Sequence, residues 1–340
     1  MARARPSKSD EFDRRSLWWW GQEAETKGSL ELAAELYPHM FIEDIRLGLH
    51  WYQPPRSGRV SVSLAGGTSA DAERLSLALP AARHFSGRSQ RSLQEAVCDF
   101  VEAIGARMAY YGEAYLEFAY GEPIDEDGHR EFELVELPHC RLELEGDVYR
   151  QYIPQVVRAK RNLGASYVDI PADRMLTIDM PADVMSSPEY RAMIRRLLVV
   201  STQSLLPLWE QQRLKEGKEP SVFDFARYRS VVKQELARIT ARFGWNGRGL
   251  FQGRATEFYM MVRYVRMLRA MARLREQILC GLNNGLARIA SVTGIAGPVR
   301  VEGLAGSREA EALERELCAG TAEFREVVRL QRESSGMTED

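Results

Sequence analysis

Apolar residues recur every three or four positions from Leu93 to Met108, where Leu93, Val97, Phe100, Val101, Ile104 and Met108 form one stripe. Ser92 and Glu95 make a capping box ahead of it, so a helix is predicted to open there. The period then drops to two. Ala114 to Tyr120 alternates, with Tyr115 and Glu117 opposite Leu116 and Phe118, and the turn Asp125-Glu126-Asp127-Gly128 leads to Phe132, Leu134 and Leu137. After Pro138, Leu142 and Leu144, the Gly146-Asp147 turn and Val148 to Ile153 complete a predicted β-meander. Val60, Val62 and Leu64, alternating with Ser61 and Ser63, predict an earlier strand ended by Gly66-Gly67; Met175 to Met180 predicts a later one. Nearer the start, Ser29 to Tyr37 reads as a short helix stopped by Pro38, and the pattern turns to strand from Ile45.

From residue 186 the pattern is almost wholly helical. Ser186-Ser187-Pro188-Glu189 joins a capping serine, a first-turn proline and an early carboxylate, which starts a helix extending toward Lys215. Gly217-Lys218-Glu219-Pro220 breaks it. Phe223 to Phe243 predicts a second helix, and Gly244, Gly247, Gly249 and Gly253 a connector. A long helix follows from about Ala255 to Ala290, ended by Gly294 to Pro298, and one charged helix spans Ser307 to Gln331. The fold class expected is α+β: a mixed first half carrying the antiparallel meander and a mainly α-helical second half.

The 340 residues suffice for two or three packed units. With 45% hydrophobic and 28% charged residues the chain is neither disordered nor fibrous. A net charge of −2 gives no bulk warrant for a polyanion or a membrane surface. The longest aliphatic run, Leu197 to Val200, is far short of a membrane span. Met1 to Pro6 is basic but lacks the apolar core of a secretory signal, so an intracellular protein is expected. Four cysteines without a C-x-x-C pair and five histidines without H-E-x-x-H leave no zinc signature, and no metal or cofactor is expected. The Gly244 to Gly249 cluster lacks the lysine of a phosphate loop and follows a helix, which reads as a connector. The acidic turn at Asp125 lacks the closing glutamate of a calcium loop and reads as a hairpin turn. With no nucleophile elbow or kinase set either, an enzyme is not expected.

Two features invite function. Arg263, Arg266, Arg269 and Arg273, spaced three, three and four, share one face of the long helix. The simplest reading is a solvated basic ridge; the functional one is a subunit interface or a DNA-facing row. Trp18, Trp19 and Trp20 cannot all face one core. Either the tail packs back on its own domain or the aromatics anchor a subunit contact.

The order of these parts resembles a tailed-phage portal protein of a minimal, gene-transfer or prophage type. Tyr111 to Glu117 is similar to the G-N-A-Y strand of that family's wing, Phe132 to Pro138 to its strand leading into L-x-P, and Ile170 to Ile178 to the segment before its helical core. Ser186-Ser187-Pro188 resembles its helix start, and Gly253 to Phe258 with Arg263 to Ile278 resembles its Arg-rich helix. The resemblance implies an N-terminal arm (1–28), an α/β wing-like domain (29–185), a stem-like helix (186–216) and a clip-like segment (217–254). A long helix returning to the wing (255–295) and a crown-like helix and tail (296–340) complete it.

It implies a homo-oligomeric ring, of the dodecamer kind, at a capsid vertex of a virion or phage-like particle. Double-stranded DNA would pass through the channel; terminase, capsid and head–tail adaptor proteins would be partners, and no membrane. Phe223, Arg227 and Trp245 would then dock the motor or connector. The alternative is a non-enzymatic helical regulator that binds nucleic acid or protein.

Overall fold

A computed structural model describes residues 36–51, 60–80, 91–137, 142–153, 158, 164–202, 225–249, 256–295 and 297–337. They form an α+β protein of two compact units, each drawn from non-consecutive stretches. The first takes in Ser61–Asp179 and Ile278–Val301; the second takes in Leu32–Val60, Met180–Gln277 and Glu302–Asp340.

In the first unit, α3 (Leu93–Tyr111) opens as the pattern requires. The Ser92 hydroxyl accepts from Glu95 N–H, and the Glu95 carboxylate accepts from Ser92 N–H at 2.8 Å. Val97, Phe100, Val101, Ile104 and Met108 are fully buried. The strands β2 (Glu113–Pro123), β3 (Arg130–Leu137) and β7 (Met175–Asp179) make an antiparallel sheet in the order β3-β2-β7. Phe118 faces Leu134 across β3, and Leu116 faces Leu176 across β7. The expected single meander is corrected. Strands β4 (Leu142–Glu145), β5 (Val148–Tyr152) and β6 (Tyr167–Pro171) form a separate sheet, while β7 pairs back to β2. An apolar cluster of Leu137, Ile170 and Met175, with Tyr115 and Tyr149 against it, joins the two. β1 (Ser61–Leu64) lies where alternation placed it and pairs with β8 (Val299–Glu302), a strand of four residues too short to leave a signal. The helix α2 (Ser69–Ala78) is capped by Thr68 and Asp71.

The second unit corrects the start of the chain. Residues Leu36–Leu49 are one helix, α1, so Ile45 is helical and Pro38 lies in the first turn rather than at a stop; the rest of the helix predicted from Ser29 lies outside the described residues. Proline is tolerated there because the first-turn N–H groups have no intrahelical acceptor. Phe41, Ile42, Ile45 and Leu49 are buried. Phe41 meets Tyr190 of α4 (Ser187–Thr202), Phe243 and Trp245, with the last two edge-on at 5.4 and 5.5 Å. α5 (Phe225–Ile239) leads into a turned corner ending at Gly244, whose φ is +72°. A Cβ there would lie 2.1 Å from the Arg263 carbonyl oxygen. Only glycine fits, and the expected connector is a packed corner.

The longest element is α6 (Glu257–Thr293), of 37 residues. Its residues up to Gln277 belong to the second unit and those from Ile278 to the first. The expected final helix is two, α7 (Ser307–Ala319) and α8 (Phe324–Ser334), separated at Gly320. Their Leu313, Leu317, Val327 and Leu330 pack on Val262 and Val265 of α6.

Candidate functional site

The four arginines of α6 do not form one solvated ridge. Arg263 is 1% exposed and sits over the C-terminal end of α5. It donates to the Ala237 carbonyl at 3.1 Å, to Thr240 Oγ1 at 2.9 Å and to the Trp245 carbonyl. The last carbonyls of a helix have no intrahelical donor and carry partial negative charge, so a cation there satisfies both needs. Burial pulls the Arg263 pKa down, opposed by its hydrogen bond to Tyr259.

Arg266 donates from Nε to Glu314 Oε1 at 2.8 Å and from Nη1 to the Ala241 carbonyl at 3.0 Å; Arg269 donates from Nη1 to Glu314 Oε2 at 3.0 Å. One carboxylate on α7 thus holds two arginines of α6. Glu314 lies in the buried stripe of α7 with Ala310, Leu313 and Leu317, and its side chain is 11% exposed. Arg273 bridges Asp183 at 2.6 Å and Glu276 at 2.8 Å. That guanidinium holds the Asp183 carboxyl below its usual range. Burial opposes ionisation of Glu276, but Ser307 N–H and Oγ, both at 2.8 Å, together with Arg273 keep its pKa low as well. The row is therefore tied to acceptors of its own chain. Arg266 and Arg269, with Arg242, Asp183 and Glu314, also line an open cavity.

Trp245 does not lie at a docking surface: it is 2% exposed, and its Nε1–H donates to Asp44 Oδ2 at 2.7 Å. Arg248 holds the other Asp44 oxygen at 2.6 Å. Arg227 belongs to α5, but its side chain, together with Trp18, Trp19, Trp20 and Phe223, lies outside the described residues. Of the clip-like segment 217–254, the described part contributes Leu236, Phe243 and Trp245 to the core of the second unit.

Sequence reasoning missed Glu314, Asp183 and Arg242. Only Glu314 left a signal, a carboxylate at an apolar-stripe position in α7; Asp183 and Arg242 are brought in by tertiary packing. At the β2–β3 turn, Asp125, Asp127 and His129 cluster, with His129 Nδ1 at 2.7 Å from Asp125 Oδ2. The two carboxylates are exposed and the geometry is that of a hairpin turn.

Among the described residues no helix is long and apolar enough to cross a membrane. No protein-family model matches the chain, and no curated protein matches it in sequence.

Proposed function

We propose that the chain is a portal-like ring subunit at the capsid vertex of a virion or phage-like particle. In this reading it lines a DNA channel and docks a terminase motor and a head–tail connector, and ATP hydrolysis belongs to the motor. The observation that carries the reading is α6. A portal-type chain leaves its wing, runs through helical segments and returns by one long helix. Here the 37-residue α6 begins in the helical unit and ends in the α+β unit, against the sheet that holds the Glu113 to Leu137 strands.

Charge distribution supports the same reading. The first unit, over residues 1–31, 61–179 and 278–301, carries 20 Lys or Arg against 26 Asp or Glu, whereas the second, over residues 32–60, 180–277 and 302–340, carries 26 against 22. A head-to-tail ring presents different surfaces of the same chain to one another, and opposite charges on its two units favour that heterologous contact over a two-fold dimer. Light scattering on the full chain tests this. The expected mass is about a dozen times the 38.6 kDa chain; a monomer or dimer at micromolar concentration and low salt contradicts it.

A further inference from the structure

The cavity in the helical unit has a volume of about 290 Å³ and is bounded by Asp183-Val184, the Ala241-Arg242 corner, Arg266 and Arg269 of α6, and Glu314 of α7. Its ionisable lining is three arginines against two carboxylates. Both carboxylates are engaged: Glu314 by Arg266 and Arg269, Asp183 by Arg273 from outside the lining. The arginines are not used up. Among the described residues Arg242 makes its hydrogen-bonded ion pair with Glu189, through Nη1 at 3.1 Å, and Arg269 makes its own with Glu314, through Nη1 at 3.0 Å, while its charge also acts on Asp183. Among the described residues the Nε–H and Nη2–H donors of both groups have no hydrogen-bond acceptor.

A guanidinium edge of this kind matches two oxygens of an oxyanion. Two such groups, one on α6 and one beyond the end of α5, together suit an anion with more than two acceptor oxygens, which a carboxylate lacks. The volume is ample, since a water occupies about 30 Å³ of liquid. Glu314 holds Arg266 and one nitrogen of Arg269 in the same lining.

We propose that this cavity is a phosphate-type oxyanion site held by Arg242 and Arg269. The site goes beyond the portal reading and stands without it. The same chemistry is offered by a free phosphate group and by a nucleic-acid backbone, and the two are separable.

The test is isothermal titration of the full chain with inorganic phosphate at constant ionic strength, alone and with a short DNA duplex. Saturable binding is expected, weakened by at least about tenfold in R242A and in R269A, the order of one charge-assisted hydrogen bond. R329A, on the exposed face of α8, should bind as the parent does. Arg269→Ala leaves Glu314 paired to Arg266, so the fold persists, and an unchanged melting temperature verifies it. R269K, which keeps the charge without the fork, should recover only part of the affinity. Displacement of phosphate by the duplex assigns the site to a nucleic-acid backbone; phosphate binding that the duplex leaves untouched assigns it to free phosphate groups. No saturable phosphate binding, or equal binding by the R242A/R269A double variant, overturns the proposal. Ring assembly is read separately by light scattering and does not enter this result.

Discussion

One helix makes two kinds of seam. In the first unit α6 approaches the sheet through glycine: a Cβ on Gly285 would lie 2.7 Å from Phe118 Cζ, and one on Gly281 would lie 2.9 Å from Ile178 Cγ1. That contact is mainly apolar and backbone-close, with one donor beside it, Arg288 Nη2 to the Met175 carbonyl of β7 at 2.6 Å. In the second unit the same helix packs Val262 and Val265 on α7 and α8, but it meets the corner after α5 through Arg263 and Arg266. The difference follows from what each neighbour presents. A sheet face offers apolar side chains over backbone groups mostly paired in the ladder, so closeness is the main gain; a helix C-terminus offers orphan carbonyls, so a donor is the gain. The first seam is expected to be indifferent to salt and pH, and the second to answer to both at its exposed end.

The largest expected effect is at Arg263. Arg263→Met removes the donor from the Ala237 and Trp245 carbonyls and from Thr240 Oγ1 in a site closed to water. We expect a loss of about 3–5 kcal/mol, because buried acceptors are left unsatisfied at about 1–3 kcal/mol each. Denaturant unfolding measures it, and a loss under about 1 kcal/mol would make the corner incidental. Next is Gly285→Ala. Overpacking against Phe118 costs about 1–3 kcal/mol, offset by up to about 1 kcal/mol of helix propensity. The net loss should not change between low and high salt, which sets it apart from the arginine seam.

Glu314→Gln is expected to cost about 1–3 kcal/mol, since two arginines lose their shared carboxylate in a mostly enclosed site. Part of that cost should vanish in high salt, because the guanidinium groups are about a third exposed. The smallest effect is at Asp183, whose side chain is 55% exposed. Asp183→Asn should cost under about 1 kcal/mol at pH 7. The sign of its pH dependence is fixed by the direction of the shift. The folded-state pKa lies below the ordinary value, so the contribution is complete above about pH 4 and is lost as pH falls through the folded value. The variant should therefore show a shallower acid limb in a stability–pH series. An identical limb would remove Asp183 from the account.

Legibility in the sequence followed the range of the interactions. The α3 cap and stripe, the β2 alternation and the start of α4 are local patterns, and each lies where the residues put it. Pro38 misled because a proline that ends one helix also suits the first turn of another. The pairing of β7 to β2 is long-range and has no local sign. The arginine row was visible as spacing, but its meaning depends on the end of α5 and on Glu314, both distant in sequence. Trp245 shows the same limit: a tryptophan in a glycine-rich stretch looks exposed until Asp44 and Phe41 are brought against it.

Negative-stain electron microscopy of the full chain at low salt tests the central claim most directly. Closed rings with a central hole are expected, built from about a dozen copies in head-to-tail contact through unlike faces. A field of small particles without a hole, at concentrations where the protein is folded and monodisperse, would contradict it.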